Sequence, residues 1–469
     1  MQRSAISEYS SKSLMLYFLI LALVSATFAT HILPVHWMVS GAVQYLFFFI
    51  ALKQLFEMWI KLDERRFVKN VFVTALIIRV VYVVVMYALY TYWTGVPFEF
   101  EAADAAFYHS IGEELSDFGI MRPLQYADAV GVDYSDMGQP FIIALLYTFF
   151  GKNVIVVRLL HAVVGAAKCV LIYRLAARNF GDVPARYAAV ISVLFHNFIY
   201  YCGLHLKEIN MIFLAVLFLE RADYALRGQK LTLSSMAIPI LSGVLVFFFR
   251  TVLGAVLWMA FFGAILLSKD RVMSTGRRIF IGFLMLLSAA TVFSGRIESE
   301  VKAYWEAKDT NQSNSMEWRS TREGGNKFAK YGSAALFAPA ILLVPIPTMV
   351  NIDTQQNQMF QNGGFLEKEV LSFFVFIALS ALIFRYKSWR RHLLILLFMA
   401  GYLAVIAMSA FAMSERFHLP AMPVFVILAA FGITQVTKRQ KKYFPIYLFI
   451  LGFVVLAWNW FKLAGRGLV

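Results

Sequence analysis

Between Pro97 and Pro140 the chain carries nine carboxylates and one arginine or lysine, Arg122, inside a sequence that is otherwise apolar and basic. The acids are Glu99, Glu101, Asp104, Glu113, Glu114, Asp117, Asp128, Asp133 and Asp136. Apolar runs flank the segment, Val71–Trp93 before it and Phe141–Phe150 after it. A carboxylate held at an apolar boundary has its pKa raised by desolvation, which suits it to take a proton as a general base. If Glu101-Ala-Ala-Asp104-Ala-Ala-Phe-Tyr108-His109 is helical, Glu101, Asp104 and Tyr108 share one face at i, i+3 and i+7. Asp133 and Asp136 stand just before Gly138-Gln139-Pro140, where the next apolar run begins. Any one of these acids, taken singly, also fits a solvated loop.

Cations at the ends of apolar runs supply the complementary chemistry. They are Arg158, Lys207 (followed by Glu208), Arg250 and Arg416. Charges in or beside lipid are costly and are usually paired or functional. Four of them on one face would make a pocket for an anionic headgroup such as phosphate or pyrophosphate, which the planar guanidinium fork binds in bidentate fashion. Snorkelling to lipid headgroups or a helix-end salt bridge is the plainer alternative for each. His109, His161, His196, His205 and His418 show no metal-ligand spacing. There is no P-loop, dinucleotide fingerprint or Gly-x-Ser-x-Gly elbow. No organic cofactor is called for, and a divalent cation stays open.

The elements that must position these groups follow from composition. Of 469 residues, 60% are hydrophobic and only 15% charged, where a soluble chain would have about a quarter charged. Apolar runs long enough to span a bilayer, roughly 20 residues, recur throughout. The fold class is therefore an all-α polytopic membrane protein. The formal charge of +15 does not point to nucleic acid, because the basic residues cluster in short breaks between apolar runs. Examples are Lys61/Arg65/Arg66/Lys69, Arg174/Arg178/Arg186 and Lys438/Arg439/Lys441/Lys442, the pattern of cytoplasmic loops. Cys169 and Cys202 read as apolar packing residues, too few and too isolated for a disulfide framework. Arg3 and Lys12 before Leu14–Leu33 resemble a signal peptide with a small-residue site near Ala29. The length of the run fits an uncleaved anchor better.

With the basic breaks inside, about thirteen crossings thread consistently: about 14–33, 39–60, 71–93, 154–177, 185–203, 208–226, 231–249, 252–268, 279–295, 369–385, 393–411, 419–436 and 444–462. The N-terminus then lies in the cytoplasm and the C-terminus outside. The run 139–150 is too short to span and reads as a helix along the outer interface. Pro339, Pro345 and Pro347 make an unbroken span over 334–350 improbable, so a re-entrant or interfacial element is expected there. The organisation is a two-helix hairpin over 1–70, a membrane core over 71–295 with a first external loop at 94–152, an external region over 296–368, and closing helices over 369–469.

One set of segments resembles a known family. In order they are "ADAAFYHSIGEELSDFG", "MGQPFIIALLYTFFGKNVIVVRLLHAVVGAAKCVLIYRLAARNFG", "LHLKE", "FFFRTVLG" and "SERFHLPAMPVFVILAAFG". Together they look like the GT-C superfamily of integral membrane glycosyltransferases. The nearest branch is the dolichyl-phosphate-mannose–protein mannosyltransferases with their bacterial aminoarabinose transferase relatives. The resemblance covers roughly 95–270 and 410–435. It implies a helical bundle in the plasma (inner) membrane with extracytoplasmic catalytic loops. It also implies a polyprenyl-phosphate-linked sugar donor and inverting transfer to a protein, lipid or glycan acceptor. By the same resemblance Asp104 is the general base, Asp136 a displaced second acid, and Arg158 and Arg416 hold the donor phosphate. Lys207 and Arg250 join them on the reading of the cations above, with Glu101, Tyr108, His109 and Glu208 around the pocket. Relatives often carry two adjacent acids in the first loop, whereas here Ala105 follows Asp104.

Two rival classes share these features. A lipid-linked sugar transporter or flippase should show charges deep in mid-span, where Arg79 and Lys168 are the candidates. A lipid-linked oligosaccharide polymerase or ligase is expected to use arginines in a large external loop, for which Arg296, Arg319 and Arg322 qualify.

Overall fold

The computed structural model describes residues 5–119, 123–227, 233–267, 341–407 and 414–468. Expectations for 279–295, for 296–332 with its three arginines and for 334–340 fall outside them. The described residues are helical apart from turns, loops and one isolated antiparallel bridge, Ile32 to Val350. Seven helices are long and apolar enough to cross a membrane: Glu8–Thr27, Val35–Trp59, Glu64–Thr94, Val154–Phe180, Trp389–Ala407, Glu415–Gln435 and Lys438–Ala464. The protein is a polytopic membrane protein. Against about thirteen expected crossings, seven helices among the described residues have the length and apolarity to cross; Gly138–Phe150, Met236–Phe247 and Thr251–Leu267 are apolar but shorter.

In chain order the helices are α1 (Ala5–Leu14), α2 (Leu16–Thr27), α3 (Val35–Trp59), α4 (Glu64–Thr94), α5 (Ala103–Phe118), α6 (Pro123–Val130), α7 (Gly138–Phe150), α8 (Val154–Phe180), α9 (Asp182–Leu194) and α10 (His196–Tyr200). After these come α11 (Glu208–Arg227), α12 (Leu233–Phe247), α13 (Thr251–Leu267), α14 (Gln356–Phe360), α15 (Asn362–Ser380), α16 (Leu393–Ala407), α17 (Glu415–His418), α18 (Met422–Gln435), α19 (Lys438–Lys441) and α20 (Tyr443–Ala464). Helix α4 starts where the Asp63 carboxylate accepts from the Arg66 N–H at 3.3 Å, and it stops at Gly95, whose φ of 77° ends the helix. Its 31 residues make a rod of about 46 Å at 1.5 Å per residue. Its apolar part, Val71–Trp93, is about 35 Å long, close to a hydrocarbon layer of about 30 Å, which leaves the charged turns Glu64–Asn70 at one end and the acidic segment at the other.

Side-chain ties separate the basic breaks from the acidic segment. At one end Arg186 donates to the Trp59 and Leu62 carbonyls at 3.1 and 2.9 Å, and Arg178 pairs with Glu220 and Asp223. At the same end Arg227 reaches the Arg391 carbonyl, and Lys441 pairs with Glu8. The opposite end holds the 95–102 loop, α5 to α7, the α12–α13 junction and α17.

The span expected over 185–203 is not one helix. Helix α9 ends at Leu194, Phe195 turns to extended backbone (ψ 115°), and α10 restarts at His196. The break deprives carbonyls of their usual partners, and Arg79 supplies substitutes by donating to Ser192 and Val193 at 3.0 and 3.3 Å. The deep cation of α4 is thus a cap for a broken neighbour. Lys168 is fully buried, 3.7 Å over the Phe198 ring.

Residues 341–350 are non-helical, and α15 and α20 satisfy their backbone. Ser372 donates to the Leu342 carbonyl at 2.9 Å, and Lys368 to that of Val344. Asn459 accepts from the Met349 N–H at 2.7 Å and donates to the Pro347 carbonyl at 3.2 Å. Irregular backbone is tolerated beside lipid when protein groups take its polar atoms in this way. Helices α15 and α18 meet at Gly432, where an added Cβ would lie 1.8 Å from the Phe374 carbonyl oxygen. Only a residue without a side chain permits that approach.

Candidate active site

Helix α5 begins at Ala103, so Asp104 sits in its first turn, where the N-terminal dipole favours a carboxylate, and Tyr108 lies one turn on. Glu101 precedes the helix in a left-handed conformation (φ 55°) and is exposed. The expected three-residue face is therefore reduced to Asp104 and Tyr108. The reason is that the chain must turn sharply from α4 into α5, and Glu101 absorbs that turn.

The Lys207–Glu208 pair, at the entry to α11, is the hub of the site. Lys207 pairs with Asp136, which also accepts from the Tyr108 hydroxyl at 3.1 Å. Glu208 pairs with Arg416 through Nε, and the same guanidinium reaches Asp104 through Nη1. Arg250 donates to the Tyr402 hydroxyl at 3.3 Å, stands 4.3 Å over the Phe417 ring, and lies within electrostatic reach of Lys207. Asp104, Asp136 and Glu208 thus face Lys207, Arg250 and Arg416, and the formal charges cancel. The acids are not equivalent. The side chains of Asp104 and Asp136 are 58% and 37% exposed, while that of Glu208 is fully buried.

Buried polar links fix this hub. The Gly138 N–H donates to the Phe248 carbonyl at 2.8 Å, which ties the start of α7 to the turn bearing Arg250. Asn210 donates to Gln139 Oε1 at 2.9 Å. His161 is placed by its Nδ1 contact of 3.1 Å with the Leu204 carbonyl, which requires the proton on Nδ1. Its Nε2 then accepts from Gln139 at 3.3 Å. Burial pushes the Lys207 ammonium below its ordinary range; the Asp136 carboxylate opposes that shift and Arg250 adds to it. Burial pushes the Tyr108 hydroxyl well up, with the Asp136 and Glu208 charges adding to it.

Two expected pocket residues lie elsewhere. His109 turns from Asp104 towards the Tyr147 hydroxyl, 2.8 Å from Nδ1, and Glu113, 3.6 Å from Nε2. Arg158 is fully buried, donates to the Pro97 carbonyl and stands 6.0 Å over the Phe98 ring, apart from the open cluster. Sequence reasoning missed Glu99, which is buried within electrostatic reach of Arg158, Arg416 and Glu208. No sequence signal separated it from Glu101, because residues two apart in extended backbone share a face and the left-handed turn at Glu101 (φ 55°) is what sends the two acids apart. It also missed Glu415, fully occupied on one oxygen by the Tyr201 hydroxyl at 2.9 Å.

No protein-family model matches the chain, and no curated protein matches it. Among solved structures the chain is similar to the crystal structure of ArnT from Cupriavidus metallidurans bound to undecaprenyl phosphate. The identity is 14%, the TM-score 0.48, and the match covers 83% of this chain. The chain spans just under two thirds of that protein, 64% of its length.

Proposed function

We propose that the protein is a membrane glycosyltransferase. It moves a sugar from a polyprenyl-phosphate donor to an acceptor hydroxyl or amine at the extracytoplasmic face of the plasma membrane, with inversion. The observation that carries this reading is the hub itself, with two accessible carboxylates held against three cations near the Thr94 end of α4. The segments that resemble the GT-C transferases supply most of these residues.

In the reaction, the acceptor O–H or N–H gives its proton to the Asp104 carboxylate while its lone pair attacks the anomeric carbon. The bond from that carbon to the phosphate oxygen breaks, and the electron pair leaves on polyprenyl phosphate. Lys207, Arg250 and Arg416 hold the phosphate and stabilise the charge that grows on it. Phosphate arriving at Arg416 and Lys207 competes with Asp104 and Asp136 for the same donors. The exposed acids yield and the buried Glu208 stays. Asp104 thereby gives up its contact with Arg416 as the donor binds and is left free to accept the acceptor's proton.

Two measurements test this. Full-length protein in detergent is expected to bind undecaprenyl phosphate saturably, more weakly at high salt, and no binding would remove the proposal. Reporters fused at Asp128 and at Lys438 are expected on opposite sides of the membrane, Asp128 outside. Both on one side would rule out an extracytoplasmic site.

A further inference from the structure

Behind the hub lies a second group of polar side chains that the reaction above does not use. Tyr82 and Tyr90 come from α4, Glu99 from the loop after it, Arg158 from α8 and His205 from the approach to α11. All but Tyr82 are at least nine-tenths buried, and the Tyr82 hydroxyl oxygen itself is sealed from solvent. Glu99 is within electrostatic reach of Tyr90 and Arg158, Tyr82 of Tyr90, and His205 of Arg158. The Phe98 ring lies 5.9 Å from that of His205 and forms one wall.

The Tyr82 hydroxyl, Glu99 Oε2, Arg158 Nε and Nη1, and both His205 nitrogens have no hydrogen-bond partner, and the Tyr90 hydroxyl has only that of Tyr200. Native interiors leave only a few such atoms unpaired per roughly 100 residues, so several on neighbouring side chains call for an occupant. The set mixes donors and acceptors, and the Arg158 and Glu99 charges balance, so an anion gains nothing there. Neutral hydroxyl groups, each both donor and acceptor, satisfy it. Glu99 also looks the other way, to Arg416 and Glu208, so an occupant adjoins the cations assigned to phosphate.

We propose that this chamber is the subsite for the hydroxyl groups of the donor's sugar. The 95–102 loop closes it, pinned by Arg158 on the Pro97 carbonyl and by Thr94 on the Val96 and Phe98 carbonyls at 2.8 and 3.1 Å. The inference rests on the proposed transferase reading, and Arg158 thereby serves the sugar rather than the phosphate.

The test offers detergent-purified full-length protein equal amounts of undecaprenyl phosphate and of polyprenyl-phosphate sugars extracted from its native membranes. Bound lipids are read by mass spectrometry. The unmodified protein is expected to prefer a glycosylated lipid at least about tenfold. A Tyr82→Phe, Tyr90→Phe double variant is expected to lose that preference while its affinity for undecaprenyl phosphate stays unchanged, which also reports an intact fold. If that variant does not fold, Glu99→Gln carries the same reading. A preference that survives the substitutions, or is absent from the unmodified protein, means the chamber holds only water and overturns the inference. Binding of neither lipid removes the transferase reading and this inference with it.

Discussion

Asp104→Asn is expected to lower sugar transfer by about 100-fold or more, the span general bases ordinarily contribute, while donor binding survives. Asparagine keeps the shape of the side chain and removes the proton acceptor. The side chain is 58% exposed, and Arg416 retains Glu208 as partner, so the fold should hold within the ±0.5 kcal/mol typical of surface substitutions. The measurement is single-turnover transfer from labelled polyprenyl-phosphate sugars in protein-containing membranes, beside the donor dissociation constant. Transfer at the unmodified rate would take the base role from Asp104. Asp136, on Lys207 and Tyr108, would be the next acid to substitute.

The second large effect belongs to Arg416. Losing a preorganised charge-stabilising donor costs about 10²–10³ in rate, and the same loss is expected here. Plain truncation would mislead, because it leaves the Glu208 carboxylate buried and unpaired at a cost of about 3–5 kcal/mol in stability. The informative variant is Arg416→Met combined with Glu208→Gln, which removes both charges together. Its thermal stability is expected to recover relative to Arg416→Met alone, with transfer still reduced and donor binding weakened. Recovery of transfer in the double variant would show that Arg416 only neutralises Glu208.

The site residues were legible to the extent that charge in an apolar context is conspicuous. Lys207, Glu208, Arg250 and Arg416 interrupt or end apolar runs, and Asp104 lies early in the acidic segment, so their expense marked them. Their convergence was not legible, because it depends on how helix ends far apart in sequence meet. The fate of Glu101 turned on one left-handed residue with no glycine or asparagine to announce it. The break at Phe195 lies in Val193-Leu194-Phe195-His196-Asn197, which contains no glycine or proline. It is written instead in α4, where Arg79 stands ready for the freed carbonyls. The apolar lengths of the long helices were visible directly. Helix α11 was harder, since Glu220, Asp223 and Arg227 break its hydropathy, and only their pairing with Arg178 and Asn179 shows them as internal ties.

The interruption between α9 and α10 has a mechanical result. No continuous ladder of main-chain bonds joins α9 to the stretch leading into Lys207 and Glu208; the Arg79 guanidinium takes the freed carbonyls on the α9 side, and the Glu367 carboxylate accepts from the His196 N–H on the other at 3.4 Å. A tilt of α9 is therefore expected to be taken up at this joint before it reaches Lys207 and Glu208, whose side chains are held by Asp136 and Arg416.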